Sequence, residues 1–435
     1  MSSSSPDELT TTVYGALHSL SQHNKANFLL DTALALIQAG KYGPDVENYL
    51  EVYLKTPNLP KGDIARALLA RANARKTGGD MLLLVSGWHF DAVGVSAFQK
   101  LRKFTLRAED DDGFADMGEV RTVLDQNRDT LRHLILGAYL ARNHSWDTAF
   151  QSPTIKNLTH LDLVDTRISH IVFVRIAHAH NLQSLTLHGT FEEPGSAAVV
   201  FNSDQIIDDE HTFLPHLEAF RFVVLGHDDE LALYQSVTHF LRRRKRLRRL
   251  DLGTCPWDLV LNLLPELPGL RALGVRIANL THPALFSLVN AIPKEMAAIT
   301  VSTAISNKIP SAYAGLFSRF HSLAFLHLAC TSQRRPKPTM MSEKDFLAQT
   351  ELWTSSARNI AMALPSLDFV GWHGEHYVVA RVGGSEGEGG RSVELKELPA
   401  RRRLDCGKGV DLGSADAEWL ERKDVPTDYE MPGLE

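Results

Sequence analysis

The sequence predicts an α/β fold built as a solenoid, and three observations carry that prediction. A hexamer of the form L-x-x-L-x-L recurs ten times, its recurrence is nearly regular, and the stretches between copies are patterned as helices. The hexamers read LRKFTL at Leu101, LRHLIL at Leu131, LTHLDL at Leu158, LQSLTL at Leu182 and LEAFRF at Leu217. They continue as LRRLDL at Leu247, LRALGV at Leu270, MAAITV at Met296, LAFLHL at Leu323 and LDFVGW at Leu367. Alternate side chains of a strand share one face, so the fourth and sixth positions of each hexamer point into a common core. The starts lie 23 to 44 residues apart. That leaves roughly 20 residues per coil for the return, a span that a helix covers compactly.

The return segments carry helix punctuation. In TCPWDLVLNLLPELPGL, Pro256 suits a helix start, Leu259, Leu263 and Leu264 form an apolar stripe, and Pro265 or Pro268 stops it. In ANLTHPALFSLVNAIPKE, Thr281 is a candidate N-cap and Pro293 ends the pattern. ISHIVFVRIAHAHNL reads similarly, with enough β-branched residues to be part strand. This pairing of strand and helix is that of the longer leucine-rich repeats, arranged here as about ten irregular coils around a curved parallel sheet. Regular secreted repeats place Asn three residues beyond the last leucine. Thr166, Thr190, Cys255 and Thr331 stand there instead, a pattern that resembles the irregular intracellular class. The two longest steps imply insertions at about Glu192–Glu210 and Thr331–Lys344.

Three regions follow: a helical segment over 1–90, the repeats over 91–376, and a β-hairpin with a tail over 377–435. Residues 26–57 resemble one tetratricopeptide repeat, with Ala33 at the small-residue position, Gly40 and Tyr42 at the turn, then Tyr49 and Pro57. A second partial unit follows with Ala72 and Gly79, and its second helix falls on MLLLVSGWHF. The expected role is a helical cap on the open end of the repeats. At the other end HYVVARV and SVELKEL flank GGSEGEGG, which reads as a hairpin with a glycine-rich tip. The final residues, rich in turn formers, are expected to dock loosely or stay disordered.

Composition narrows the function classes. A formal charge of -6 argues against nucleic acid as a partner, since phosphate binding needs a net basic face. There is no stretch of eighteen apolar residues to cross a membrane, and the first residues lack a basic and then apolar leader pattern. Three dispersed cysteines give neither a disulfide framework nor a zinc site and suit a reducing compartment, so a cytoplasmic or nuclear monomer is expected. The run RRRKRLRR, Arg242–Arg249, follows the helical pattern ALYQSVTHFL and reads first as a solvated face near a helix C-terminus, second as an import signal. His178 with His180 and His373 with His376 are the closest histidine pairs and lack an evident third ligand, so no metal site is expected. GSEGEGGRS lacks the Lys-Ser/Thr ending of a phosphate loop. No catalytic constellation and no cofactor motif stands out, and a non-enzymatic protein is expected.

Function in such an array falls to the exposed side of the inner sheet. One outward position lies between the two inward residues of each hexamer: Thr105, Ile135, Asp162, Thr186, Arg221, Asp251, Gly274, Thr300, His327 and Gly371. A second ladder two residues on includes Arg107, His188, Arg276 and His373. In-register strands set these positions about 4.8 Å apart. Asp162, Thr186, Arg221, Asp251, Arg276, Thr300 and His327 are therefore the candidate partner-binding residues on the concave face.

Taken together, the repeats and the tetratricopeptide-like N-terminus resemble a fungal family of F-box and leucine-rich-repeat proteins. That resemblance implies a substrate-recognition subunit of an SCF-type ubiquitin ligase, with a Skp1-type adaptor docked on an F-box and the repeats selecting a protein. The F-box itself is represented only by fragments, SPDELTTTVYGAL near the start and VSGWHF at Val85–Phe90. A ligase-independent repeat scaffold or inhibitor is the alternative.

Overall fold

A computed structural model of the chain describes residues 22–38, 44–54, 80–85, 99–108, 117–137, 146–202, 213–224, 231–306, 308–333, 336, 340–382, 392–398 and 412–421. It divides into two compact units, residues 1–142 with 151–154, and residues 143–150 with 155–435.

In the first unit, helices Gln22–Gln38 and Pro44–Leu54 pack on each other through Leu29, Leu30, Ala33, Val46, Tyr49, Leu50 and Tyr53. Ala33 is fully buried, as a close helix–helix approach requires. Most of the second tetratricopeptide-like unit, including Ala72 and Gly79, lies outside the described residues. Its expected second helix is corrected: Asp80–Val85 is a strand, β1, paired in parallel with β2, Lys103–Ala108. Here the ladder to β2 takes the backbone bonds that a helix would have made. β2 pairs in turn with β3, His133–Gly137. The buried Asn127, after helix Met117–Gln126, accepts from the Leu101 amide at 2.8 Å and donates to the Val123 carbonyl at 2.8 Å.

The second unit carries β4 (His160–Ile168), β5 (Ser184–Phe191), β6 (Ala219–Val224), β7 (Arg249–Asp251), β8 (Ala272–Leu280), β9 (Ala298–Ser306), β10 (Phe325–Cys330) and β11 (Phe369–Trp372). These strands are parallel and pair in chain order. Each of the ten hexamers contains a strand that begins two residues after its first apolar residue. Helices fill the returns, with Ser169 capping His170–Ala177 and Thr281 capping His282–Ala291. After Ile168 the segment forms the helix His170–Ala177 rather than a strand, because the Ser169 hydroxyl accepts from the Val172 amide and fixes the start. Between Pro310 and Arg319 the return is a 3-10 helix.

The inward leucines are joined by an aromatic cluster. Phe201 of helix Pro194–Asn202, inside the first insertion, lies 5.0 Å from Phe173, 5.8 Å from Phe213, 5.9 Å from Phe222 and 5.4 Å from Phe240 between ring centroids. The second insertion leads into the long helix Glu343–Ala363. Two antiparallel strands, β12 (Glu375–Val382) and β13 (Ser392–Glu397), extend the sheet beyond β11 as the hairpin pattern predicted. Among the described residues no helix is long and apolar enough to cross a membrane.

One expectation about the C-terminus is overturned. Residues 412–421 pack on the sheet: Leu412, Ala417, Trp419 and Leu420 are buried together with Ala219, Ala272, Ala298 and Phe325, while the rest of that tail lies outside the described residues. Burying a tryptophan and two leucines outweighs the turn-rich composition around them.

Candidate functional site

The strand register builds the face on which this segment sits. Ala219, Arg249, Ala272, Ala298, Phe325 and Phe369 are lateral neighbours across β6 to β11. Two residues further along the same strands, and therefore on the same face, lie Arg221, Asp251, Gly274, Thr300, His327 and Gly371, with His376 of β12 opposite Gly371. The first row is shallow because three of its six members are alanines, and the second is polar. A short helix, Ala415–Leu420, lies against this face, packing on β8 and β9.

The helix is entered through Gly413, whose φ of +67° and closeness to the Phe369 ring, 2.9 Å from where a Cβ would stand, both exclude a side chain. Ser414 caps the helix, accepting from the Ala417 amide at 3.2 Å. Asp416 meets two arginines, with Arg249 Nε donating to Oδ1 at 2.8 Å and Arg271 Nε to Oδ2 at 3.2 Å. Arg221 donates to the carbonyls of Trp419 at 2.8 Å and Leu420 at 3.0 Å, its guanidinium lies 4.9 Å from the Trp419 ring centre, and its Nε is 3.1 Å from Asp251.

Glu421 ends the segment between two histidines. Its Oε1 accepts from Thr300 at 2.9 Å and lies 2.7 Å from His327 Nδ1, while Oε2 lies 2.9 Å from His376 Nε2. The other His327 nitrogen faces the His373 carbonyl. Both His327 nitrogens thus meet acceptors, so the ring bonds both when it is an imidazolium. Burial would push the Glu421 carboxyl up, but the neighbouring His327 and His376 overcome it and hold the group well below the usual range. Gly371 makes the arrangement fit, because a Cβ there would stand 2.6 Å from the Cβ of His327.

Beside it, His373 stacks on Trp353 at 4.5 Å. Burial, reinforced by His327, lowers its pKa to about 4 and keeps it neutral. Cys255, buried beneath the sheet, has its thiol pushed up to about 12 by desolvation, which makes it a poor nucleophile.

His327, His376 and Glu421 are also the three groups, among the described residues, whose ligand atoms lie within 4.8 Å of one another. Two ligands of a tetrahedral zinc at ~2.0–2.1 Å stand about 3.3 Å apart. The 2.7 and 2.9 Å separations are shorter than that and match charge-assisted hydrogen bonds. The geometry therefore fits a proton between these groups better than a metal.

A groove of about 490 Å³ continues past Leu420 and Glu421, with His188, Asp251, Arg276 and Ser302 in its walls. Of the predicted partner-binding residues, Arg221 binds the tail backbone, and Thr300 and His327 hold Glu421. Asp251 braces Arg221, Arg276 stands exposed in the groove, and Asp162 and Thr186 are buried neighbours further along the row. Arg249, Arg271, Asp416, Trp419, His376 and Glu421 were not foreseen. A signal for the seat was present in the alanines at the third hexamer position, Ala219, Ala272 and Ala298, which leave room for another segment. The basic run is only partly the solvated face expected: Arg244 is buried, 4.2 Å over the Phe240 ring, and Arg249 holds Asp416.

No protein-family model and no curated protein matches the chain. Among solved structures the chain is distantly similar to a chain of the crystal structure of a TLR13–ssRNA13 complex, with 16% identity and a TM-score of 0.29 over 56% of this chain. The match spans 35% of that chain's length.

Proposed function

We propose that this chain is a non-enzymatic protein-recognition scaffold, working as the substrate-recognition subunit of an SCF-type ubiquitin ligase through the outward face of its sheet. The observation that carries the recognition part is the seat itself. A row of polar side chains on consecutive strands binds a short segment by its backbone, its aromatic ring and both of its buried carboxylates. Repeat arrays bind protein surfaces in this manner, with each strand contributing one contact. The ligase part is supported by the resemblance of the repeats and the N-terminal helical pair to F-box proteins.

Two experiments test the parts separately. Co-expression with a Skp1-type adaptor should give a complex that co-elutes on gel filtration and is lost when residues 1–90 are removed. A chain that elutes alone would sink the ligase role. Cross-linking capture with the full chain should then recover a partner that Arg276→Glu loses, because Arg276 is exposed in the groove and outside the tail contacts. Capture unchanged by Arg276→Glu would remove the face from the recognition role. A ligase-independent scaffold is the second reading, favoured by one observation: the F-box fragment at Val85 starts on the last residue of strand β1.

A further inference from the structure

We propose that Leu412–Glu421 is an internal stand-in for a partner segment, and that the face recognises a short helical stretch of the form Asp-x-x-Trp-Leu-Glu. The proposal deepens the reading of this face as a protein-recognition surface and rests on it. The partner is a protein presenting an acidic, tryptophan-bearing turn.

Charge complementarity defines the ligand. The seat offers Arg249 and Arg271 to the first acid, Arg221 to the aromatic ring and the helix C-terminal carbonyls, and His327 and His376 to the last acid. Five cation-forming side chains thus converge on one helical turn bearing Asp416 and Glu421. Between them the alanine row and Phe325 form an apolar floor under Ala417, Trp419 and Leu420. A basic or aliphatic segment would leave those arginines without partners, which is the repulsive half of specificity.

The contacts are also of the kind that a competitor can take over. The bound helix has six residues and adds no strand to the sheet. Its link to Arg249 and Arg271 is partly open to water, with those side chains 30% and 53% exposed. A tethered segment competes at an effective concentration of order millimolar, so a partner must add contacts of its own to displace it. The groove beyond Glu421 supplies a place for them, with Arg276 and His188 in its wall.

The test uses the full chain with a protease site placed between residues 399 and 411, folded first and then cut. We expect the released C-terminal piece to dissociate on gel filtration. A fluorescein-labelled peptide of residues 412–421 should then bind the cut chain at least tenfold more tightly than the uncut one. The same peptide carrying Asp416→Ala and Glu421→Ala should bind at least tenfold more weakly. A piece that stays bound through dilution would make it a fixed part of the fold and overturn the proposal, as would a vacated seat that fails to bind the peptide. Peptide failure alongside an intact Arg276→Glu effect in capture would refute this motif alone, whereas failure of both refutes the recognition face. Concentration-dependent dimers of the cut chain carrying swapped tails would make the occupant a second copy and also overturn it.

Discussion

The guanidinium of Arg221 lies 4.9 Å over the ring of Trp419 while donating to that residue's own carbonyl at 2.8 Å. One side chain therefore holds both the apolar and the polar end of the docked segment. Replacing Trp419 by Ala removes a buried ring and its cation–π contact, at a cost of about 3 kcal/mol in docking. Hydrogen exchange of the amides over 415–421 should accelerate about a hundredfold, while exchange in the helix Leu231–Leu241 stays unchanged. Arg221→Lys keeps the charge but loses the planar stack and the paired donation, so an intermediate acceleration of about tenfold is expected. Equal exchange in all three proteins would show that the pair does not hold the segment.

Gly371 and His327 are paired across β10 and β11, and the imidazole occupies the space that a side chain on Gly371 would need. The ring cannot step aside without giving up Glu421 on one nitrogen and the His373 carbonyl on the other. Gly371→Ala should destabilise the protein by about 1–3 kcal/mol through overpacking. It should also speed exchange over 415–421 beyond what the global loss explains. Gly315→Ala, at a position with open space around the new Cβ, serves as the control and should be close to neutral. A Gly371→Ala protein with wild-type stability would mean that the histidine has a second resting place.

How far these features could be read from the sequence follows from the range of the physics behind them. The strands at all ten hexamers were legible because a period-2 pattern with a fixed offset is local. The same holds for Thr281 as an N-cap and for the hairpin around GGSEGEGG. Arg221, Thr300 and His327 were placed on the outward face by the same alternation. What covers that face was not legible, since Asp416 reaches Arg249 across 167 residues and no local rule ties them. The strand at Asp80–Val85 was missed for a related reason: the partner that makes it a strand, β2, lies some twenty residues away. His376 was seen only as half of a weak pair with His373. The antiparallel return of β12, which sets it opposite Gly371, gives it Glu421 instead.

His373 supplies a pH dependence whose sign is fixed by its burial. The native state holds the ring neutral down to about pH 4, while the unfolded chain takes up a proton near the ordinary histidine value of 6.5. Between those values the unfolded state binds more protons, so stability is complete above about pH 6.5 and declines as the pH falls toward 4. His373→Asn tolerates the left-handed backbone of this position, φ +53°, and does not titrate. Its denaturant midpoint should fall less steeply than that of the wild type between pH 6.5 and pH 4. Parallel slopes for the two proteins would assign the acid loss to other groups, such as Glu421, whose carboxyl the neighbouring histidines hold well below the usual range.

The aromatic cluster under the sheet sets the stability on which the face depends. Phe201 is fully buried and touches rings from a helix on either side of it in sequence and from β6. Phe201→Ala leaves a cavity whose walls are rings from separate elements, so little collapse can fill it. A loss of about 3–5 kcal/mol is expected. At about 2–4 °C per kcal/mol that corresponds to a melting temperature lower by about 6–20 °C. Phe201→Leu keeps most of the volume and should lose less than half as much. Calorimetry on the two variants decides the point: a Phe201→Ala loss below about 1 kcal/mol would mean that the first insertion is not part of the core. Because its helix also bonds through Asn202 to Ser236 of the next helix, at 3.0 Å, the larger loss is the expected result.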